Sequence, residues 1–208
     1  MKFDAVILDV DGTVWDSTSL VARAWNDAAR KCGVETVITD EMLKGLFGKT
    51  MHEIADALLP NASLEEKERV MAACVTEEEK VIEEDTTDIT YPYVSETIRK
   101  LSKSIPVCIV SNCQKGYIEQ FMKKAKVEDC ISDHECYGNT GFGKAKNLRL
   151  VIERNGYQNP VYVGDTLMDE EACEEAKVPF IHAAYGFGIA KHPIFVVDSF
   201  KNLENILN

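Results

Sequence analysis

The sequence has no CxxC pair, no long apolar run and few positive charges. Its seven cysteines, Cys32, Cys74, Cys108, Cys113, Cys130, Cys136 and Cys173, are odd in number. They indicate neither a disulfide framework nor a zinc knuckle. Reduced thiols in a cytoplasm are the simplest reading, so the expected localisation is cytoplasmic. No stretch is long enough to span a bilayer. The N-terminal apolar run is short and carries Asp4 and Asp9, so it does not read as a signal peptide. Lys and Arg number 23 against 35 Asp and Glu, a formal net charge of -12. That balance argues against a diffuse nucleic-acid-binding face, and any anionic ligand must be held by a local cluster of cations. Neither nucleic acid nor membrane is expected as a partner. Internal repeats and low-complexity linkers are missing as well.

What is present reads as a globular chain. With 208 residues, 45% of them hydrophobic, one domain or one domain carrying an insertion is expected. Short apolar runs read as buried strands at residues 3–8, 106–110 ("PVCIV"), 160–163 ("PVYV") and 179–182 ("PFIH"), with a weaker one at 194–197. Helical patterns fall between them at 94–103, 116–125, 146–155 and 170–176. Continuous apolar strands alternating with helices predict a parallel sheet covered on both faces, a doubly wound, Rossmann-like α/β fold.

Residues 16–91 differ, with almost no strand signal. "STSLVARAWNDAARKCG" has helical periodicity, a Ser cap candidate and a terminal Gly33. Thr50 with Glu53, and Ser63 with Glu66, read as capping boxes. The expected division is a catalytic core of residues 1–15 and 92–208, with residues 16–91 inserted as an all-helical cap. The run Glu77, Glu78, Glu79 reads as a solvated helix face.

Three strands run into polar residues. The first meets Asp9 and Asp11, the second Ser111 and Asn112, the third Asp165 with Asp169 four positions on. Carboxyl ends of strands form the ligand crevice of an open parallel sheet, so these residues can converge. Helix capping is the bland explanation, but it needs one acid per helix rather than two at i and i+2. Two carboxylates about 4 Å apart repel by roughly 4 kcal/mol at an effective dielectric near 20, so a positive charge is expected between them. Converging carboxylates suit a hard divalent cation, Mg²⁺ above all, sharing a phosphate. One acid is then free to attack phosphorus, and a neighbour can move the proton. Ser111 and Asn112 can donate to phosphate oxygens. "GFGKAKN" supplies two candidate lysines, Lys144 and Lys146.

With "DVDGT" at 9–13, "VSN" at 110–112, a lysine in "GFGKAKN" and "GDTLMD" at 164–169, the chain resembles the haloacid dehalogenase superfamily. Within it, the resemblance is to phosphatases of the phosphoglycolate phosphatase type, with a helical cap after the first strand. "YPYVSETIRKL" is similar to the segment that returns from cap to core. The resemblance implies Asp9 as nucleophile and Mg²⁺ ligand. It implies Asp11 as general acid/base, binding Mg²⁺ through its backbone carbonyl. Ser111 and Lys144 would hold the transferring phosphoryl group, and Asp165 would bind Mg²⁺, directly or through water. Asp169 would orient the site, and Thr13 and Asn112 would support phosphate and leaving group. Ala145 stands where the family often has Pro after its lysine, which leaves Lys146 beside Lys144. The family's dehalogenases lack an acid at the position of Asp11, so dehalogenation is not expected.

The expected activity is thus Mg²⁺-dependent hydrolysis of a small soluble phosphate monoester through an aspartyl phosphate. Two alternatives stand beside it. A sugar phosphomutase shares the motifs, but the family's mutases often have a bulky aliphatic residue at the position of Thr13. A phospho-aspartate signalling receiver would lack both the cap and the DxD spacing. In the cap, Lys49 in "GLFGKTMHEI" is a candidate for binding an anionic leaving group. His52 reads as a surface helix residue, Trp15 and Trp25 as packing at the core–cap junction, and Cys113 as lying near the pocket without redox function.

Overall fold

Six parallel strands form one sheet in the order β3-β2-β1-β4-β5-β6 in the computed structural model, which describes residues 2–207. The strands are β1 (Ala5–Leu8), β2 (Val107–Ser111), β3 (Ile131–Cys136), β4 (Pro160–Gly164), β5 (Phe180–Ala183) and β6 (Phe195–Val197). Every residue of β1, β2, β4 and β5 is buried, as a sheet covered on both faces requires. The alternation of a strand then sorts side chains into two cores. Val6, Leu8, Val107, Ile109, Val161 and Val163 fill one. Ile7, Cys108, Val110 and Tyr162 fill the other, against Leu148, Val151 and Cys173.

The helices are α1 (Thr18–Lys31), α2 (Asp40–Lys44), α3 (Met51–Leu58), α4 (Leu64–Glu84), α5 (Val94–Leu101), α6 (Tyr117–Ala125), α7 (Tyr137–Thr140), α8 (Lys144–Asn155), α9 (Leu167–Ala176) and α10 (Leu203–Leu207). The first four share a separate apolar cluster that includes Val21, Trp25, Leu43, Phe47, Ile54, Met71 and Cys74. None of the described helices is long and apolar enough to cross a membrane.

The doubly wound α/β fold is as expected, with differences at its edges. β3, "ISDHEC", carries too few apolar residues to read as a strand, because only Glu135 and Cys136 of it are buried. The Thr50–Glu53 capping box forms in full, and Ser63 accepts the Glu66 N–H at 3.2 Å. Ser17 does not cap α1 with its side chain. Its hydroxyl donates to Asp11 instead, at 2.8 Å, while Asp16 accepts the Thr18 N–H at 3.0 Å.

Strand order places the switch point between β1 and β4. Leu8 lies beside both Ile109 and Val163, and the Asp9 N–H donates to the Val163 carbonyl at 2.9 Å. The chain beyond all three strands therefore emerges along one edge, where ligands of such sheets bind.

Candidate active site

Asp9, Asp165 and Asp169 meet at that edge. All three are buried, and each has a carboxylate oxygen within 4.8 Å of the others. At that separation and an effective dielectric near 20, each pair of charges repels by about 3.5 kcal/mol. Lys144, at the first position of α8, answers part of this. It pairs with Asp169, and its Nζ lies 2.9 Å from Asp9 Oδ1. Burial works against the lysine's charge, but Asp169 and Asp9 outweigh it and hold its pKa above the ordinary lysine value. Lys146 points elsewhere, exposed and with its ammonium 3.1 Å from the centre of the Phe142 ring. Of the two candidate lysines, Lys144 is the one in the crevice.

The three acids are not equivalent. Asp169 is saturated. One of its oxygens takes Lys144, and the other accepts the N–H of Asp165 (3.2 Å), the N–H of Thr166 (2.9 Å) and the Thr166 hydroxyl (2.7 Å). These bonds form the capping box that opens α9. Burial works to raise the pKa of Asp169, and Lys144 more than offsets it, so the carboxyl is held low. Asp165 has fewer donors. The Phe187 N–H reaches one oxygen at 2.7 Å, and the Thr13 hydroxyl lies 3.5 Å from the other. Burial, then the charges of Asp169 and Asp9, push its pKa well up. Burial likewise raises Asp9. Although Lys144 is close, Asp9 Oδ1 receives no well-directed hydrogen bond. Two buried, under-donated carboxylates beside a saturated third form a hard-oxygen donor set, which fits a divalent cation.

The backbone makes this closeness possible. Gly12 has φ +77°, and a Cβ there would stand 2.1 Å from an Asp165 oxygen. No other residue fits between the two acidic loops.

Asp11 turns away from the trio. Its Oδ1 accepts from the Trp15 indole (3.0 Å), the Ser17 hydroxyl (2.8 Å) and the Tyr117 hydroxyl (2.8 Å). Burial nevertheless pushes its pKa up to about 7, against the lowering effect of those donors. The charge of Asp9 adds to that rise. The cation beside Asp9 is Lys144, and neutral donors surround Asp11.

The remaining predicted residues line a cavity of about 30 Å³ between the sheet edge and helices α1, α3 and α4. Its walls include Asp11, Ser111, Asn112, Cys113, Lys49 and Glu78. Asn112 donates to the Gly48 carbonyl at 2.9 Å, while its own Oδ1 is buried without a partner. Lys49 is half-buried and His52 exposed. Both tryptophans are fully buried.

Glu78 overturns one expectation. The run 77–79 is not a uniformly solvated face, because Glu78 is 3% exposed. Its carboxylate accepts from the Trp25 indole (2.6 Å) and from Gln114 (2.7 Å). It therefore joins α1 and α4 to the loop after β2. Burial pushes its pKa up to about 8. Sequence reasoning also missed Tyr117, Gln114 and Phe187. No motif marks them, since each acts through an orientation that only packing sets.

The family model of haloacid dehalogenase-like hydrolases matches residues 6–183. A phosphoglycolate phosphatase of Agrobacterium fabrum (strain C58) is 24% identical over 216 residues, covering 97% of this chain and 91% of that protein. Among solved structures, a predicted phosphoglycolate phosphatase from Haemophilus somnus 129PT superposes with TM-score 0.86 at 16% identity. That match covers 99% of this chain and 98% of the other. CbbY from Rhodobacter sphaeroides, solved with xylulose-1,5-bisphosphate, gives TM-score 0.81 at 17% identity, covering 97% and 96%. At such identities the structural matches speak for the fold, and the family assignment rests on the family match over most of the chain. The chain belongs to the haloacid dehalogenase-like hydrolase family.

Proposed function

We propose that the protein is a Mg²⁺-dependent phosphatase that hydrolyses a small soluble phosphate monoester through an aspartyl phosphate on Asp9. The observation that carries this reading is the contrast between two acids two residues apart. Asp9 faces a buried ammonium at 2.9 Å, whereas Asp11 is held by neutral donors alone. That division suits a nucleophile and a separate proton carrier.

Asp9 and Asp165, with the Asp11 backbone carbonyl, would hold the cation. When bound, Mg²⁺ supplies charge neutralisation between carboxylates and phosphate. Asp169 keeps Lys144 and the start of α9 in place. Lys144 and the Ser111 hydroxyl bind the phosphoryl oxygens, and Thr13 supports Asp165. Asp9 attacks phosphorus while Asp11 gives a proton to the departing oxygen. Asp11 then takes a proton from the water that cleaves the acyl phosphate. In this arrangement Asn112 and Lys49 face the leaving group. The likeness to phosphoglycolate phosphatases supports a small anionic leaving group, and a lysine on the cap loop is in keeping with it.

The cavity, about 30 Å³, holds two or three waters at most, at the usual 10–15 Å³ needed for each. Substrate entry therefore requires the Asn112–Gly48 and Gln114–Glu78 bonds to open, and closure afterwards excludes water. The test is phosphate release from a panel of phosphorylated metabolites, with product analysis on a hexose phosphate to detect mutase activity. Activity is expected to vanish on chelation and return with Mg²⁺, with Ca²⁺ a poor substitute. Full turnover in excess chelator would remove the metal from the mechanism.

A further inference from the structure

The chain beyond β5 is keyed to Asp165. Gly186 packs so closely there that a Cβ on it would stand 2.3 Å from the Asp165 Cβ and 2.3 Å from the Gly12 carbonyl oxygen. The next residue, Phe187, gives its N–H to Asp165 Oδ2 at 2.7 Å. Both ends of this segment are fastened. The Tyr185 hydroxyl donates to the Thr13 carbonyl at 2.8 Å. The buried Glu170 carboxylate accepts the N–H groups of Lys191 (2.7 Å) and His192 (2.5 Å). In so close a packing, a shift of Asp165 is passed to residues 186 and 187, and the reverse.

The Phe187 ring belongs to different surroundings. It packs against the apolar cluster of α1 to α4, with its centre 6.3 Å from that of the Phe47 ring and its plane tilted by 54°. Phe47 is buried and lies in residues 45–50, the loop between α2 and α3 that also carries Lys49. Two more contacts seat that loop. The Gly48 carbonyl accepts from Asn112 at 2.9 Å, and the Met168 methyl lies 3.0 Å from where a Cβ on Gly48 would stand. One residue, Phe187, thus holds Asp165 by its backbone and the Lys49 loop by its ring.

On the reading above, in which Asp165 holds Mg²⁺ and the Asn112–Gly48 bond opens to admit substrate, we propose that Phe187 is a positioning residue that couples the two events. A cation held by Asp165 favours seating of residues 45–50, and the seated loop favours the cation. The route is short. A carboxylate fixed by a cation fixes the Gly186 backbone and the Phe187 N–H packed on it. That fixes the ring against which Phe47 packs, and Lys49 follows two residues on. By linkage the effect is mutual: the factor that the cation adds to loop seating is the factor that the seated loop adds to cation affinity. The ring contact limits this factor, and an aromatic pair corresponds to about three- to tenfold.

Hydrogen exchange of the full chain tests this, read by mass spectrometry on peptides covering residues 45–50 in Mg²⁺ and in chelator, with Mg²⁺ binding measured by calorimetry. In the parent, Mg²⁺ is expected to slow exchange of 45–50 by about three- to tenfold. In Phe187→Ala that slowing is lost. Mg²⁺ still binds, weakened by no more than about the same factor, because alanine keeps the N–H that Asp165 accepts. A merely structural role would raise exchange equally with and without Mg²⁺. Phe187→Leu, apolar but without a ring, falls between the two, and should Phe187→Ala not fold, a slowing in Phe187→Leu equal to the parent's overturns the role of the ring. Mg²⁺ that binds the parent without slowing 45–50, or that slows them as much in Phe187→Ala, overturns the coupling alone. Mg²⁺ that does not bind the parent at all overturns the metal reading and the coupling with it. None of these readouts needs turnover, so an inactive protein would refute the phosphatase reading while the coupling stood or fell by exchange.

Discussion

Replacing Glu78 with glutamine should change how stability depends on pH, and the size of the change follows from the site. Glu78 lies between α1 and the loop after β2, bonded to Trp25 and Gln114, and no cation is among the groups that act on it. Burial is the main cause that lifts its pKa from the ordinary 4.5 to about 8, and the charges of Asp11 and Glu79 add to it. An acid whose pKa is raised by folding keeps its proton in the folded chain while the unfolded chain has lost it. The folded state then binds more protons than the unfolded state between those two values, so stability falls as pH rises. The contribution is fully present below pH 4.5 and lost by the time pH has passed 8. At about 1.36 kcal/mol per pH unit, the loss amounts to about 5 kcal/mol across the window.

Glutamine has no charge to desolvate, but its single carbonyl cannot accept from both Trp25 and Gln114. The protonated carboxyl of the parent has the same limit, so below pH 8 the exchange costs at most about 1 kcal/mol. The curves for parent and Glu78→Gln should therefore cross. At pH 5 the variant is expected to be slightly the less stable, and at pH 9 the more stable by roughly 4 kcal/mol. Urea unfolding from pH 5 to 9, followed by far-ultraviolet circular dichroism, reads this directly. Glu79→Gln, on the exposed side of the same turn, is the control and should weaken the pH dependence only slightly, because its charge is the smallest of the named causes. Parallel curves for parent and Glu78→Gln, with their separation changing by less than about 1 kcal/mol, would refute the reasoning. Glu78 would then be ionised inside the protein with its burial compensated by something other than Trp25 and Gln114.

Asp11→Asn keeps an oxygen for Trp15, Ser17 and Tyr117 but cannot move a proton. With an aryl phosphate it should release a burst near one equivalent and then slow by about 10²–10⁴-fold, which stopped-flow absorbance and mass analysis of acid-quenched protein would register. A steady rate with no phosphorylated Asp9 peptide counts against its role in the second step. Lys49→Ala should lower kcat/KM more for substrates with a second anionic group than for an uncharged aryl phosphate; equal losses mean that Lys49 does not meet the leaving group. Lys144→Met leaves Asp9 and Asp169 without their buried cation, and removing one partner of such a pair costs about 3–5 kcal/mol. A lowered melting temperature with activity lost is expected, and near-parental kcat would remove Lys144 from phosphoryl binding.

How much of this is legible in the sequence depends on where each residue's position is decided. β1, β2, β4 and β5 are legible because burial on both faces forces unbroken apolar runs. β3 is not, because it is an edge strand with Ser132, Asp133 and His134 turned at least partly outward. Ionic partners tie it to α8 instead, with Arg154 reaching Asp133 at 2.6 Å and Glu135 at 2.9 Å. In the site, Asp9, Ser111 and Asp165 are legible because a parallel sheet must deliver strand ends to a common edge. Lys144 is half legible: the loop announces a lysine, but two residues along a helix turn by about 200°, so only the structure separates it from Lys146.

Glu78 is the instructive failure. Successive residues on a helix point about 100° apart, so Glu77, Glu78 and Glu79 cannot share a face. One of three adjacent acids can be buried while its neighbours stay at or near the surface. Composition says that the run is charged. Which member turns inward depends on where the Trp25 indole and the Gln114 amide lie once α1 packs on α4 and both meet the loop after β2. Those two donors come from residues 53 and 36 positions away. The carboxylate costs stability at neutral and higher pH, where an apolar side chain of similar size would not. What it supplies in exchange is a directional bond from α4 to the loop that follows Ser111. The positions of α1 and α4 and the geometry of the loop after β2 are therefore coupled through one side chain, on which pH acts directly.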